Sequence, residues 1–115
     1  MPDVVVTVPA RLWPEWLDEG DCAGDPRTGR RYSFWVFGFP DIEPDERVYV
    51  VALGKLRGFA PLDYAHGMPS GRVALVRAGG AEAVTIPRTI RGFRGYRYRW
   101  WDRSEERPFP DWRKP

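Results

Sequence analysis

The sequence is poor in the residues that build disulfides, metal centres and acid–base pairs. It contains one cysteine, Cys22, and one histidine, His66, in 115 residues. A single cysteine excludes an intrachain disulfide, and one cysteine with one histidine does not supply the ligands of a structural zinc site. We therefore expect neither a metal nor another cofactor. A lone histidine without a partner nucleophile also gives little support for catalysis.

Long apolar runs are missing as well. No stretch approaches the roughly 18 apolar residues that a membrane-spanning helix requires. The N-terminal Met-Pro-Asp-Val lacks the basic and apolar segments of a signal peptide. These absences predict a cytoplasmic protein without a membrane partner. The chain length and a hydrophobic fraction of 43% predict a single folded domain over residues 1–115.

Lysine is scarce, since sixteen of the eighteen basic residues are arginine. Charge is also distributed unevenly along the chain. Residues 1–46 carry four arginines against ten acids, whereas residues 47–115 carry fourteen basic residues against six acids. The net charge of +2 conceals this segregation. The pattern predicts one basic face that attracts an anionic partner.

Apolar spacing predicts several short strands and one helix. Val4–Val8 is β-branched throughout and typical of a buried strand. Trp13, Trp16 and Leu17 recur at i, i+3 and i+4, which predicts a helix over residues 11–19. Further strands are predicted at residues 32–39, 47–53, 55–60, 72–77, 83–86 and 96–101.

The connections are rich in glycine, proline and acids. Gly54 separates two strands by a hairpin or a bend, a loop is predicted over residues 63–71, and an exposed acidic loop over residues 18–29. The C-terminal tail is expected to pack through Phe109 or Trp112 without regular structure. Together these features predict an α+β fold, a small mixed β pseudo-barrel with one helix after the first strand.

Two segments carry a resemblance to a known superfamily. Residues 43–51 (Glu-Pro-Asp-Glu-Arg-Val-Tyr-Val-Val) lead to the return Gly-Lys-Leu-Arg-Gly-Phe at residues 54–59. This element and the order of strands over residues 3–101 resemble the PUA-like superfamily, which includes PUA, ASCH and EVE domains. The aromatic strand at residues 32–39 and the arginine–aromatic segment near the end are similar to EVE-type domains. Asp45-Glu46 stands where the family usually has Gly-Asp.

The resemblance implies a pseudo-barrel that recognises RNA or DNA. For EVE-like members it implies capture of a modified base, extruded from the duplex into an aromatic-walled pocket. Some ASCH members resemble small hydrolases that act on modified nucleosides through a lysine, a threonine and a glutamate. The Gly-x-Lys-x-x-x-x-Arg pattern of ASCH domains is absent here. No catalytic residue is therefore carried over, and the sequence does not favour an enzyme.

Residues 88–103 interleave six arginines and five aromatic rings with one acid, Asp102. Rings stack on exposed bases, and guanidinium groups pair with phosphates or lie on rings. Alternation along a strand places Tyr96, Tyr98 and Trp100 on one face and Arg97, Arg99 and Trp101 on the other. Two interpretations stay open: a barrel strand with rings inward and arginines in solvent, or a basic face along a nucleic-acid backbone.

Two other positions are candidates for binding. Trp35 belongs either to a base-stacking platform or to a core beneath the helix. Lys55, Arg57 and Phe59 alternate along the returning strand, where they present two cations and a ring to a ligand or form a charged edge strand in solvent.

These patterns predict a nucleic-acid-binding module that recognises a modified or flipped-out base. Trp35 and a ring from residues 96–101 would form stacking walls, and Arg57, Arg94, Arg97 and Arg99 would hold phosphates. No particular oligomeric state is predicted. The predicted binding residues are Trp35, Lys55, Arg57, Phe59, Arg91, Arg94, Tyr96, Arg97, Tyr98, Arg99 and Trp100.

Two alternative functions stay open. The first is a small hydrolase for modified nucleosides that uses Lys55, Thr85 or Glu82, residues chosen by their type alone. The second is a protein-interaction module, for instance an inhibitor that docks its basic face onto an acidic partner.

Overall fold

The computed structural model describes residues 2–18, 34–78 and 81–115. The strands formed by these residues are β1 (Val4–Val8), β2 (Phe34–Phe37), β3 (Arg47–Ala52), β4 (Lys55–Gly67), β5 (Arg72–Arg77), β6 (Val84–Thr85), β7 (Tyr96–Tyr98) and β8 (Arg107–Pro108). The α-helix α1 spans Trp13–Asp18, and short 3-10 helices span Ala10–Leu12 and Arg103–Glu105. No helix in this described part of the chain is long and apolar enough to cross a membrane.

Six of the strands form one curled sheet with the shape of a half-barrel, in the order β2-β5-β4-β3-β1-β7. β1 and β3 are parallel, and the other neighbouring pairs are antiparallel. A parallel pair requires a long crossover, which the chain between β1 and β3 provides with α1 and β2. β2 and β7 are therefore the two edges of the half-barrel. β6 and β8 form a separate two-stranded sheet.

One face of the large sheet, called here the helix face, packs against α1 and the C-terminal tail. Val4, Val6 and Val8 point to this face from β1 and contact a cluster that includes Trp16 and Trp112. The Trp16 ring lies 5.3 Å from the Trp112 ring, centroid to centroid, in an edge-to-face arrangement. Trp16 from the helix and Trp112 from the tail thus complete this side of the core. The predicted packing of the tail is confirmed.

The other face of the sheet, called here the opposite face, is covered over β1, β3 and the first half of β4. Val5, Tyr49 and Val51 point to this face and pack with Ile86 and Trp101 from the chain after β5. Because β3 is covered on both faces, its apolar residues run almost continuously rather than alternating with polar ones.

The hairpin between β3 and β4 is closed by Leu53 and Gly54. Both residues have positive φ values, 49° and 80°, as in the type I′ turns that match the twist of paired strands. Gly54 adopts this conformation without strain, whereas Leu53 does not have that freedom. The sequence prediction of a hairpin or a bend at Gly54 is resolved as a hairpin.

Most predicted elements are confirmed, with ends shifted by a few residues, and the coarse prediction of a small mixed β fold holds. β4 is the main correction, since it continues through Pro61 to Gly67 where a loop was predicted. Pro61 is tolerated because it lies where β4 passes from pairing with β3 to pairing with β5. The tail also forms β8, contrary to prediction. The predicted start of β2 at residue 32 and most of the acidic loop lie outside the described residues.

Candidate nucleic-acid interface

A cleft of about 870 Å³ opens between edge strand β2 and the chain that precedes β7. Four aromatic residues line it: Phe34, Trp35 and Phe37 from β2, and Phe93 from the far side. Its charged lining, within the described residues, consists of Arg11, Arg72, Arg94 and Glu15. The cleft therefore combines rings with an excess of cations.

Strand alternation leaves two of the three β2 rings exposed at the cleft. Phe34 and Val36 are buried on the helix face, so Trp35 and Phe37 point the other way. Trp35 is 59% exposed and Phe37 is 68% exposed. Arg72 lies opposite Phe37 in the β2–β5 register, and its guanidinium carbon is 5.2 Å from the centroid of that ring. The guanidinium thus caps one ring and remains at the cleft.

Hydrogen bonding and close packing hold the far side of the cleft against β1. The Phe93 N–H donates to Thr7 Oγ1 at 3.3 Å. A Cβ at Gly92 would lie 3.1 Å from the Thr7 methyl carbon, so a larger residue there would push the chain away. The Arg97 guanidinium carbon is 4.6 Å from the centroid of the Phe93 ring. Arg94, between these anchored residues, is exposed.

The ring predicted to face Trp35 is not the one found there. Among the described residues that line the cleft, none comes from residues 96–101. Tyr96 and Tyr98 lie on the helix face, opposite Val6 and Val4 of β1, and the Tyr98 hydroxyl accepts a hydrogen bond from the Asp41 N–H at 2.8 Å. The sequence analysis missed Phe93, Arg11 and Arg72. It also missed Phe37, although the position of Phe37 two residues after Trp35 in a predicted strand indicates that the two rings share one face.

Arg99 forms an ion pair with Asp3 and does not line the cleft. Buried Asp3 accepts hydrogen bonds from the Arg47 N–H at 2.9 Å, from Arg99 Nε at 3.1 Å and from Arg103 Nη2 at 2.7 Å. Burial alone would raise the pKa of the Asp3 carboxyl, but these three hydrogen bonds together hold it below its ordinary value. Arg99 also donates to the Trp101 carbonyl. The role of Arg99 is therefore structural.

A second polar cluster lies beside the first. Glu106 accepts hydrogen bonds from Tyr49 at 2.6 Å, from Arg47 at 3.1 Å and from the Trp101 indole at 2.9 Å. Burial, followed by the hydrogen bond to Glu106, raises the pKa of Tyr49 to about 12, so its hydroxyl remains a donor. Trp101 is buried in this cluster. It is a structural ring that fixes the chain after β7 to β3.

The predicted common face of Lys55, Arg57 and Phe59 is wrong because β4 contains a β-bulge. The register with β3 shifts between Val50 and Val51, which interrupts the alternation of side chains at Arg57. Phe59 is buried in the cluster on the opposite face, whereas Arg57 is buried at the helix face. Only Lys55 is exposed.

Arg57 holds the C-terminal tail in place. Its Nε donates to the Ala52 carbonyl at 2.9 Å, and its Nη1 donates to the Trp112 carbonyl at 3.3 Å and to the Lys114 carbonyl. Its guanidinium carbon is 4.7 Å from the Trp13 ring centroid. The predicted phosphate contact by Arg57 is thus replaced by a structural role.

The remaining predicted residues are distributed over the edge near β7. Arg91 and Arg97 are exposed, and so is Trp100, whose ring packs edge-to-face on Phe93 at 6.3 Å between centroids. Of the sequence-predicted set, Trp35 and Arg94 are the two that line the cleft. Arg91, Arg97 and Trp100 belong to the surface beside it.

The residues considered for hydrolysis lie at or near the surface. Lys55 and Glu82 are exposed, and the half-buried Thr85 hydroxyl donates to the Ile86 carbonyl at 3.4 Å. Within the described ranges 2–18, 34–78 and 81–115, no group of three or more His, Cys, Asp or Glu side chains is arranged to hold a metal ion.

Comparison with known proteins does not identify a family or a function for the chain. The chain has no significant match among family models, curated proteins or solved structures. The resemblance to PUA-like domains, and the activity that it implies, therefore stay predictions.

Proposed function

We propose that the protein binds RNA or DNA and takes an unpaired or flipped-out base, including a modified base, into the cleft beside β2. The observation that carries this proposal is the convergence of Trp35, Phe37 and Phe93 with Arg11, Arg72 and Arg94 around one cleft. The half-barrel with a helix after its first strand is in keeping with a PUA-like pseudo-barrel, which we include in the proposal.

The rings supply the part of the binding energy that does not depend on the identity of the base. An exposed indole offers a flat surface, and stacking contributes about 1–3 kcal/mol per base. Trp35 projects from a strand whose neighbouring residues, Phe34 and Val36, are locked in the core. Its position is therefore set before the ligand arrives, which lowers the entropic cost of binding.

The arginines supply the electrostatic part of the binding energy, through contacts to the phosphates. Arg11, Arg72 and Arg94 can pair with backbone oxygens, while Glu15 offsets one of these charges. Three contacts to a single strand would give a slope of about −2 in a plot of log affinity against log salt concentration. Binding should accordingly weaken with salt without being abolished.

Selectivity would arise from the cost of exposing a base. Extrusion from a duplex costs a few kcal/mol and is easiest for mismatched, damaged or already unpaired bases. The cleft volume of about 870 Å³ lies within the range of about 300–1,000 Å³ typical of small-ligand pockets. The cleft can thus hold one nucleotide together with part of its backbone.

Fluorescence anisotropy with labelled oligonucleotides tests this function. Single-stranded RNA and DNA, and duplexes with and without a mismatch or a modified base, are titrated at low and at moderate salt. We expect single strands and mismatched duplexes to bind more tightly than matched duplexes. Absence of binding to every one of these probes at low salt would exclude the proposal. A protein partner that is retained after nuclease treatment would then favour the interaction-module alternative.

A further inference from the structure

A second group of rings lies on the opposite face of the sheet, beyond the part covered by the C-terminal chain. The covering cluster reaches β1, β3 and the first half of β4. Over β2, β5 and the second half of β4, the exposed aromatic side chains include Trp35, Tyr64 and His66. Tyr64 is 50% exposed.

The strand register brings these rings side by side. Trp35 lies opposite Ala74 of β5, and Ala74 lies opposite His66 of β4. Residues directly opposite each other share one face, so Trp35 and His66 flank the small Ala74. Two strand spacings separate them, about 10 Å. The Tyr64 and His66 rings are stacked, with centroids 5.8 Å apart and an angle of 26° between their planes.

This face is continuous with the cleft. Trp35 and Phe37 on β2 and Arg72 on β5 line the cleft, and β5 is the strand next to the Tyr64–His66 pair of β4. A strand of nucleic acid that leaves the cleft past Trp35 would meet His66 next. Arg72, an exposed cation on this face, favours an anionic strand over a neutral or basic partner.

We propose that Tyr64 and His66, beside Trp35, form a stacking platform for the nucleotides that flank the base held in the cleft. This inference rests on the proposed nucleic-acid function and adds the path of the strand to it. Flat rings at successive positions accept bases of any identity, because every base has a π-face. The platform therefore increases affinity for single strands without adding sequence specificity.

A length series of oligonucleotides distinguishes the platform from the cleft. Affinities for a dinucleotide and for single strands of increasing length are measured with the full chain and with two double variants, Tyr64→Leu/His66→Leu and Tyr64→Phe/His66→Phe. The leucine pair retains apolar bulk but removes the π-faces, whereas the phenylalanine pair retains them. Both replace exposed side chains, and thermal unfolding checks that each variant is folded.

We expect the unmodified protein to bind the longer strands about 5- to 150-fold more tightly than the dinucleotide, the range set by 1–3 kcal/mol for one stacked base. The leucine variant should lose this gain and keep its dinucleotide affinity, and the phenylalanine variant should keep both. Equal binding of long strands by the leucine variant and the unmodified protein would overturn the platform and leave the cleft intact. Failure of every length to bind the unmodified protein would instead overturn the proposed function itself.

Discussion

At the scale of single residues, an exposed ring on a rigid strand has a different role from the same ring in the core. Trp35 and Trp16 are both tryptophans on regular elements. Trp16 is fully buried between α1 and the tail, whereas Trp35 is 59% exposed at the cleft. Replacement of Trp35 should therefore affect binding far more than stability, and replacement of Trp16 should do the reverse.

Trp35→Ala should weaken binding of a single-stranded oligonucleotide by about 5- to 150-fold, because one stacked base is lost. Trp35→Phe should recover most of this loss. The free energy of unfolding should change by no more than about 0.5 kcal/mol, as is usual at exposed positions. Anisotropy titration and urea denaturation measure the two effects.

Trp100→Ala is the matched control, since Trp100 is an exposed tryptophan outside the cleft lining. Its oligonucleotide affinity should stay within about twofold of the unmodified protein. Equal losses in Trp35→Ala and Trp100→Ala would contradict the assignment of the stacking ring to β2.

Arg57 gives a second contrast at this scale. Arg57→Ala leaves the Ala52, Trp112 and Lys114 carbonyls without their donor and opens a cavity beside Trp13. We expect a loss of about 3 kcal/mol in the free energy of unfolding. At temperatures where the variant is folded, its oligonucleotide affinity should be unchanged. Reduced affinity with unchanged stability would restore Arg57 to the binding surface.

At the scale of elements, the Asp3 cluster joins the start of β1 to the start of β3 and to the chain after β7. The folded-state pKa of Asp3 is lowered, so its ionised form is stabilised by folding. This contribution is fully present above the ordinary carboxyl pKa, near pH 4, and is lost as pH falls through the lowered value. Acid should therefore loosen the attachment between these three elements.

Asp3→Asn should lower the free energy of unfolding by about 3 kcal/mol at pH 7, because it leaves Arg99 and Arg103 without their buried carboxylate. Below about pH 4 the difference between variant and unmodified protein should shrink. Urea denaturation from pH 3 to pH 7 measures both. Asp111→Asn, at an exposed pair with Lys114, serves as the control and should cost less than about 1 kcal/mol at each pH. A difference that is constant across this pH range would contradict the assignment.

The elements also show what the sequence can and cannot predict. Alternation along Phe34–Phe37 predicts that Trp35 and Phe37 share one face of β2, but all four residues are apolar, so the sequence does not tell which face is buried. The bulge at Arg57 and the passage of β4 through Pro61 depend on which remote strands pair with each half of β4. Local residue patterns do not contain that information. For the same reason Phe93 and Arg72 were missed, since their place at the cleft follows from the register of remote strands.

At the scale of the whole molecule, arginines that are distant in sequence meet at one cleft. Three arginines line the cleft from three separate parts of the chain, represented by Arg11, Arg72 and Arg94. The sequence predicted Arg94 from the basic C-terminal half. The fold adds Arg72 from the same half and Arg11 from the acidic half. The charge pattern of the sequence thus indicated the type of partner but not the complete set of cations.

Arg94→Gln should reduce the magnitude of the salt slope by about 0.7, the value for one phosphate contact on a single strand. Arg107→Gln removes an exposed arginine on β8 that does not line the cleft, and its slope should match that of the unmodified protein. Anisotropy titrations at four or five salt concentrations give the slopes. Identical slopes for all three proteins would contradict a phosphate contact at Arg94.

The burial of Trp112 against Trp16 has a consequence for biosynthesis. Helix α1 emerges from the ribosome early, but the indole that completes its side of the core is translated about a hundred residues later. Until that ring has left the exit tunnel, the nascent chain exposes an apolar surface on α1 and β1. Chaperone engagement during translation should therefore persist until the segment around Trp112 is free to dock.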